Sequence, residues 1–147
     1  MKAFSNRALF FLDLNRFCYE VSRAITRKYK LTVNERNALI VLSDIQPDSI
    51  SVLSEYLKIS RSNTSKVLST LERKGLIIRL FNKRDKRITH LLLTDEGKNV
   101  AGMVFKEINE IFSGRIDRLP DEISAKVLKL IDDYYELTEQ NTTHINN

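Results

Sequence analysis

The chain is poor in the residues that reaction chemistry most often needs. Only four glycines occur in 147 residues, too few for a phosphate-cradling loop, and the patterns G-x-x-x-x-G-K, G-x-S-x-G and H-E-x-x-H are all absent. The single cysteine, Cys18, cannot close an internal bridge, so there is no disulfide framework and the expected compartment is the reducing cytoplasm. His90 and His144 are the two histidines, and neither has a cysteine or carboxylate at metal-ligand spacing. Asp132 and Asp133 are adjacent, which sends them to different sides of a helix as surface charge. No catalytic residue, metal or cofactor is expected. Long apolar runs are missing too: "ALFFL" ends at Asp13, short of a signal peptide's core and far from the ~20 residues of a spanning helix. No membrane partner is expected.

What is abundant is positive charge in one place. From Lys58 to His90 ten Lys/Arg face only Glu72 and Asp85, a net +8, whereas residues 1–57 carry +2 and 95–147 carry −5. The densest part, "NKRDKR" at 82–87, sets four cations and one acid between the apolar runs "LIIRLF" and "ITHLLL". The bland explanation is a solvated charged face. A cation cluster of this size is also the electrostatic footprint of a polyanion partner.

At 147 residues, with 42% hydrophobic content, the chain fits one domain of about 100–150 residues. Apolar residues recur at helical spacing through 5–29 (Phe10, Leu14, Phe17, Cys18, Val21, Ile25, Tyr29). Thr32 and Glu35 have capping-box spacing, so a second, buried helix is expected from Val33, stopping before Pro47. Ser51 is expected to cap a short helix and Ser60 a longer one ending at Gly75. Two helices about three residues apart make a helix-turn-helix.

In the longer helix Thr64, Val67, Leu68 and Leu71 share one face. Arg61, Ser62, Asn63, Ser65, Lys66 and Ser69 lie on or around the other. Short hydroxyl and amide side chains allow close approach to a base edge or phosphate, and Arg61 or Asn63 has the donors and acceptors to bond one base twice. The runs flanking "NKRDKR" read as a hairpin with a cationic tip, and a hairpin beside a helix-turn-helix is a wing able to reach a minor groove. Asp85 would orient one guanidinium there by a forked contact.

Thr94 is expected to cap a long helix with Asp95 and Glu96 in its first turn and an apolar stripe of Val100, Val104, Ile108, Ile111, Phe112 and Ile116. Pro120 separates it from a last helix bearing Ile123, Val127, Leu130, Ile131, Tyr134 and Leu137. The polar residues 140–147 read as a disordered tail. These terminal helices carry more apolar surface than one winged lobe needs, which suggests a two-fold homodimer before an intramolecular helical subdomain. Phe10, Phe11, Phe17 and Tyr29 read as core and dimer contacts before they read as an inducer pocket, and Cys18 reads as a buried apolar thiol before a redox sensor.

The stretch from Leu53 to Gly97 resembles the winged helix-turn-helix core of the MarR family of bacterial transcription regulators. It supplies Ser60 with Ser62, Leu71-Glu72 with Lys74-Gly75-Leu76, Asp85 with Arg87, and Leu93-Thr94 with Gly97, in order and without gaps. The sequence departs from the family pattern at Ser54 for alanine, Lys58 for a turn glycine and Thr64 for an aliphatic residue, and Ile78, Leu80 and Phe81 make the first wing strand unusually apolar.

The resemblance implies a mainly α fold with a small β-hairpin wing. The winged lobe would span about 32–95, with dimerisation helices at about 5–29 and 95–139. It implies a homodimer on near-palindromic double-stranded DNA, most often a repressor released by a small inducer. Recognition helix 61–75 would read the major groove through Arg61, Ser62, Asn63, Ser65 and Lys66. Wing 82–87 would reach the minor groove, with Arg87 inserting and Asp85 orienting it, and Lys83, Arg84, Lys86 and Ser51 are further candidate DNA contacts. The alternative is a winged-helix protein-interaction module that has lost DNA binding.

Overall fold

The structure is a computed structural model that describes residues 2–81 and 89–143. The described residues form six helices and a two-stranded hairpin: α1 (Lys2–Tyr29), α2 (Val33–Asp44), α3 (Ile50–Leu57), α4 (Arg61–Arg73), β1 (Ile77–Phe81), β2 (Thr89–Leu93), α5 (Asp95–Ile116) and α6 (Asp121–Thr143). They divide into two compact units, residues 1–108 and 109–147.

Local chemistry sets most boundaries in the first unit. The Thr32 hydroxyl accepts from the Glu35 N–H at 3.2 Å while Glu35 Oε2 accepts from the Thr32 N–H at 2.8 Å, the reciprocal pair that starts α2. The chain leaves α2 through Gln46 at φ 52°, just before Pro47.

α3 begins two residues earlier than the sequence suggests. Its cap is Ser49, extended and accepting from the Val52 N–H at 3.3 Å, and Ser51 lies inside the first turn. Starting at Ile50 puts Ile50, Leu53, Ser54 and Leu57 on one stripe against the core, a spacing that a cap at Ser51 would break.

The turn into α4 runs through Lys58 at φ 53°, a left-handed conformation that favours glycine. Ser60 then caps α4, accepting from the Asn63 N–H at 3.2 Å.

The core collects Ile25 of α1, Ala38, Leu39 and Leu42 of α2, Leu53 of α3, Leu68 and Leu71 of α4, Ile77 and Leu91 of the hairpin, and Ala101 and Val104 of α5. Thr64 is buried among them, its hydroxyl donating to the Ser60 carbonyl at 3.1 Å. The hydroxyl that an aliphatic would lack is thus satisfied within the helix. Lys28 Nζ and the Tyr29 hydroxyl both donate to Glu107, at 2.7 and 2.8 Å, tying the end of α1 to α5.

In the second unit, Ile116 is buried, and the Ser124 hydroxyl donates to its carbonyl at 3.0 Å, fixing the turn around Pro120. α6 runs on to Thr143, past residue 140 where the polar composition suggests a tail; residues 144–147 lie outside the described residues.

Candidate nucleic-acid interface

α4 buries Thr64, Leu68 and Leu71 and turns the opposite side outward. Arg61, Ser62, Asn63 and Lys66 are exposed and Ser65 is half-buried. Ser62, Ser65, Lys66, Ser69, Thr70 and Arg73 line one shallow concavity along that side. The hydroxyls there have two different fates. Ser69 and Thr70 donate back to the Ser65 and Lys66 carbonyls at 2.9 and 3.1 Å. The side chains of Arg61, Ser62, Asn63, Ser65 and Lys66 have no partner among the described residues, and so retain their bonding capacity for an external ligand. Ser51 sits apart from this set in sequence, half-buried in the first turn of α3.

The hairpin follows α4 directly. Ile77 pairs with Leu93, Ile78 with Leu92, Arg79 with Leu91, Leu80 with His90 and Phe81 with Thr89. Ile77 and Leu91 enter the core, while Ile78, Leu80 and Leu92 are each about half exposed on the other face. Lys83, Arg84, Asp85, Lys86 and Arg87 lie outside the described residues.

The base of the hairpin is tied by a compact knot. Gly75 turns the chain at φ +71°, its carbonyl accepts from the Thr94 hydroxyl at 2.7 Å, and that hydroxyl accepts from the Gly97 N–H at 2.9 Å. The Thr94 N–H donates to the Leu76 carbonyl at 3.0 Å. One residue thus caps α5 and locks both ends of the hairpin.

Not all of the basic block is available to a ligand, which corrects the simple charge count. Arg79 donates from Nε and Nη2 to Glu72 and from Nη2 to Ser69. Lys74 Nζ donates to Glu35 at 2.7 Å and to the Lys30 carbonyl at 2.8 Å. The Arg79 hydrogen bond holds the Glu72 carboxyl below its ordinary range. For Glu35, burial pushes upward, but bonds from Lys74 and the Thr32 backbone outweigh it and hold the carboxyl low. These pairs went unseen in the sequence because charge clustering carries no partner information. The available signal was Glu72, one of only two acids inside the basic block, seven residues before an arginine across a glycine turn.

Cys18 is exposed, not the buried thiol its helical face suggests. Periodicity identifies an apolar face of α1 but not what covers it, and residues 6–16 are exposed as well. Among the described residues no helix is long and apolar enough to cross a membrane.

A model of the MarR family matches residues 29–88, from the end of α1 past β1. An uncharacterized HTH-type transcriptional regulator, YpoP of Bacillus subtilis, is 29% identical over 101 residues, covering 69% of this chain and 72% of its own. The HTH-type transcriptional regulator BilQ of Clostridioides difficile is 30% identical over 98 residues, covering 67% and 64%. Streptococcus pneumoniae FabT, solved in complex with DNA, superposes with a TM-score of 0.71 at 22% identity over 95% of this chain and 99% of its own. The order of motifs and the capped α4 followed by a hairpin agree with these matches: over residues 29–88 the chain is similar to the MarR family of transcriptional regulators, and its fold is shared with FabT.

Proposed function

We propose that this regulator binds a near-palindromic duplex operator as a homodimer and represses transcription from it in the cytoplasm. In this reading α4 enters the major groove, with Arg61, Ser62, Asn63, Ser65 and Lys66 facing base edges and phosphates, and residues 82–87 reach the adjacent minor groove. The observation that carries it is the outward side of α4. It is small, polar and cationic, and its five leading side chains have no partner among the described residues.

The homodimer is supported by large apolar side chains left exposed on two terminal helices. Phe10 and Phe11 of α1, and Leu130 and Tyr134 of α6, are each more than 60% exposed, a state that a second copy would relieve. The winged lobe is assigned to about 32–95, and the flanking helices to dimerisation.

Release by a small organic anion is supported by Arg36, which is buried yet bonds only Ser22 and Asn37 and meets no carboxylate among the described residues. A buried guanidinium without a counter-ion is open to an acidic ligand. An interaction module without DNA binding has little use for Arg61 and Lys66, which have no partner among the described residues, and FabT, with the same fold, is solved on DNA.

The test is selection of bound fragments from the source genome followed by footprinting. The expected result is a protected inverted repeat with half-sites about one helical turn apart. Absence of duplex binding at low ionic strength overturns the reading.

A further inference from the structure

Arg79 differs from every other described cation of the basic block. Its side chain is 19% exposed, it sits mid-strand opposite Leu91, and its guanidinium is committed to α4. Nε reaches Glu72 Oε2 at 2.9 Å, and Nη2 bonds the same oxygen and Ser69 Oγ, the latter at 3.3 Å. Ser69 in turn donates to the Ser65 carbonyl at 2.9 Å. A continuous set of hydrogen bonds therefore runs from the first wing strand to the backbone of the outward side of α4.

Of the hairpin's other attachments, Ile77 in the core and the Thr94 knot hold its base, and Leu91, opposite Arg79, packs into the core by apolar contact. They leave the tilt of the strands relative to α4 to non-directional packing. A forked guanidinium contact is directional, and any tilt at the base is magnified toward the tip.

We propose that Arg79 is a positioning residue for DNA recognition, holding the wing at a fixed angle to the recognition helix through Glu72 and Ser69 and making no contact with the duplex. The inference rests on the DNA-binding reading and adds to it a residue that charge alone would assign to the phosphate backbone.

The two roles give opposite results. Operator and scrambled duplexes are titrated against native protein, Arg79→Gln, Arg79→Lys, Glu72→Gln and the Arg79→Gln/Glu72→Gln double variant at several salt concentrations. If Arg79 positions the wing, each single variant weakens operator binding by about tenfold, and the double variant loses no more than either single one, because the groups act as a unit. Arg79→Lys then behaves like Arg79→Gln, since it keeps the charge and loses the fork. Scrambled-duplex affinity and the salt slope stay native.

A phosphate contact predicts instead that Arg79→Gln lowers the slope by about 1, and that Glu72→Gln, by releasing Arg79, tightens binding. Either result overturns the proposal, as does a lower urea midpoint with operator affinity unchanged. If Arg79→Gln does not fold, Arg79→Lys and Glu72→Gln decide. Native protein that binds no duplex removes the DNA-binding reading itself. Native binding that the variants leave untouched removes only the role given to Arg79.

Discussion

A methyl group built on the α-carbon of Gly97 would stand 1.9 Å from the carbonyl oxygen of Leu76. That oxygen also accepts from the Thr94 N–H at 3.0 Å, so neither side of the contact is free to retreat. The glycine of the Leu-Thr-x-x-Gly pattern is thus a steric requirement of the junction between hairpin and α5.

Gly97→Ala is therefore expected to destabilise the fold by about 2–3 kcal/mol through overpacking against backbone. Gly75→Ala has open space around it and meets only the cost of a left-handed φ, about 1 kcal/mol. Urea unfolding of the two variants tests the ranking. Equal losses would mean that the Leu76 contact relaxes.

The start of α3 gives a second comparison. Ser49→Ala removes the side chain that satisfies the Val52 N–H and should cost about 1 kcal/mol, whereas Ser51→Ala should lie within about 0.5 kcal/mol of native. In the same turn, Lys58→Gly relieves φ 53° and is expected to stabilise by up to about 1 kcal/mol. Thermal or urea midpoints read all three.

Local signals carried much of the architecture. The Thr32 and Glu35 box, the Ser60 and Thr94 caps, the buried Thr64, Leu68 and Leu71 face and the two apolar wing runs are short-range patterns, and each appears where its spacing implies. What was illegible is non-local. Whether Lys74 and Arg79 face solvent or an acid depends on a partner 39 residues away in one case and on the hairpin geometry in the other. Likewise Cys18 shares an apolar face with Leu14, Val21 and Ile25, but the face alone does not say whether it is covered. For the outward side of α4, the missing fact was that Arg61 and Lys66 have no partner among the described residues.

Among the described residues three carboxyls sit below their ordinary value of 4.5. Glu35 is held low against its burial by Lys74 and the Thr32 backbone, Glu72 by Arg79, and Glu107 by Lys28 and Tyr29. A depressed folded-state pKa gives stability that is present above the unfolded value and lost as pH falls through the folded one. The native protein should accordingly lose stability as pH falls below 4.5. The stability gap between native and Glu35→Gln should shrink over the same range, since acid removes the charge that the variant lacks. Urea midpoints of both proteins between neutral and acid pH test this, and a gap independent of pH would rule out the Lys74 pair as its source.

The wing supplies the sharpest functional test. If Arg87 enters the minor groove as proposed, Arg87→Ala is expected to weaken operator binding by about 1–3 kcal/mol while sedimentation still reports the native oligomer, because such a contact adds affinity without holding the protein together. Asp85→Ala removes a negative charge from a cationic tip, so simple attraction to phosphate predicts tighter binding. The orienting role predicts weaker binding, since an unheld Arg87 loses conformational freedom when it enters the groove. The sign of that one change separates the two accounts. Weaker binding with Asp85→Ala, and no further loss in the Asp85→Ala/Arg87→Ala double variant relative to Arg87→Ala, would make the acid act through the arginine.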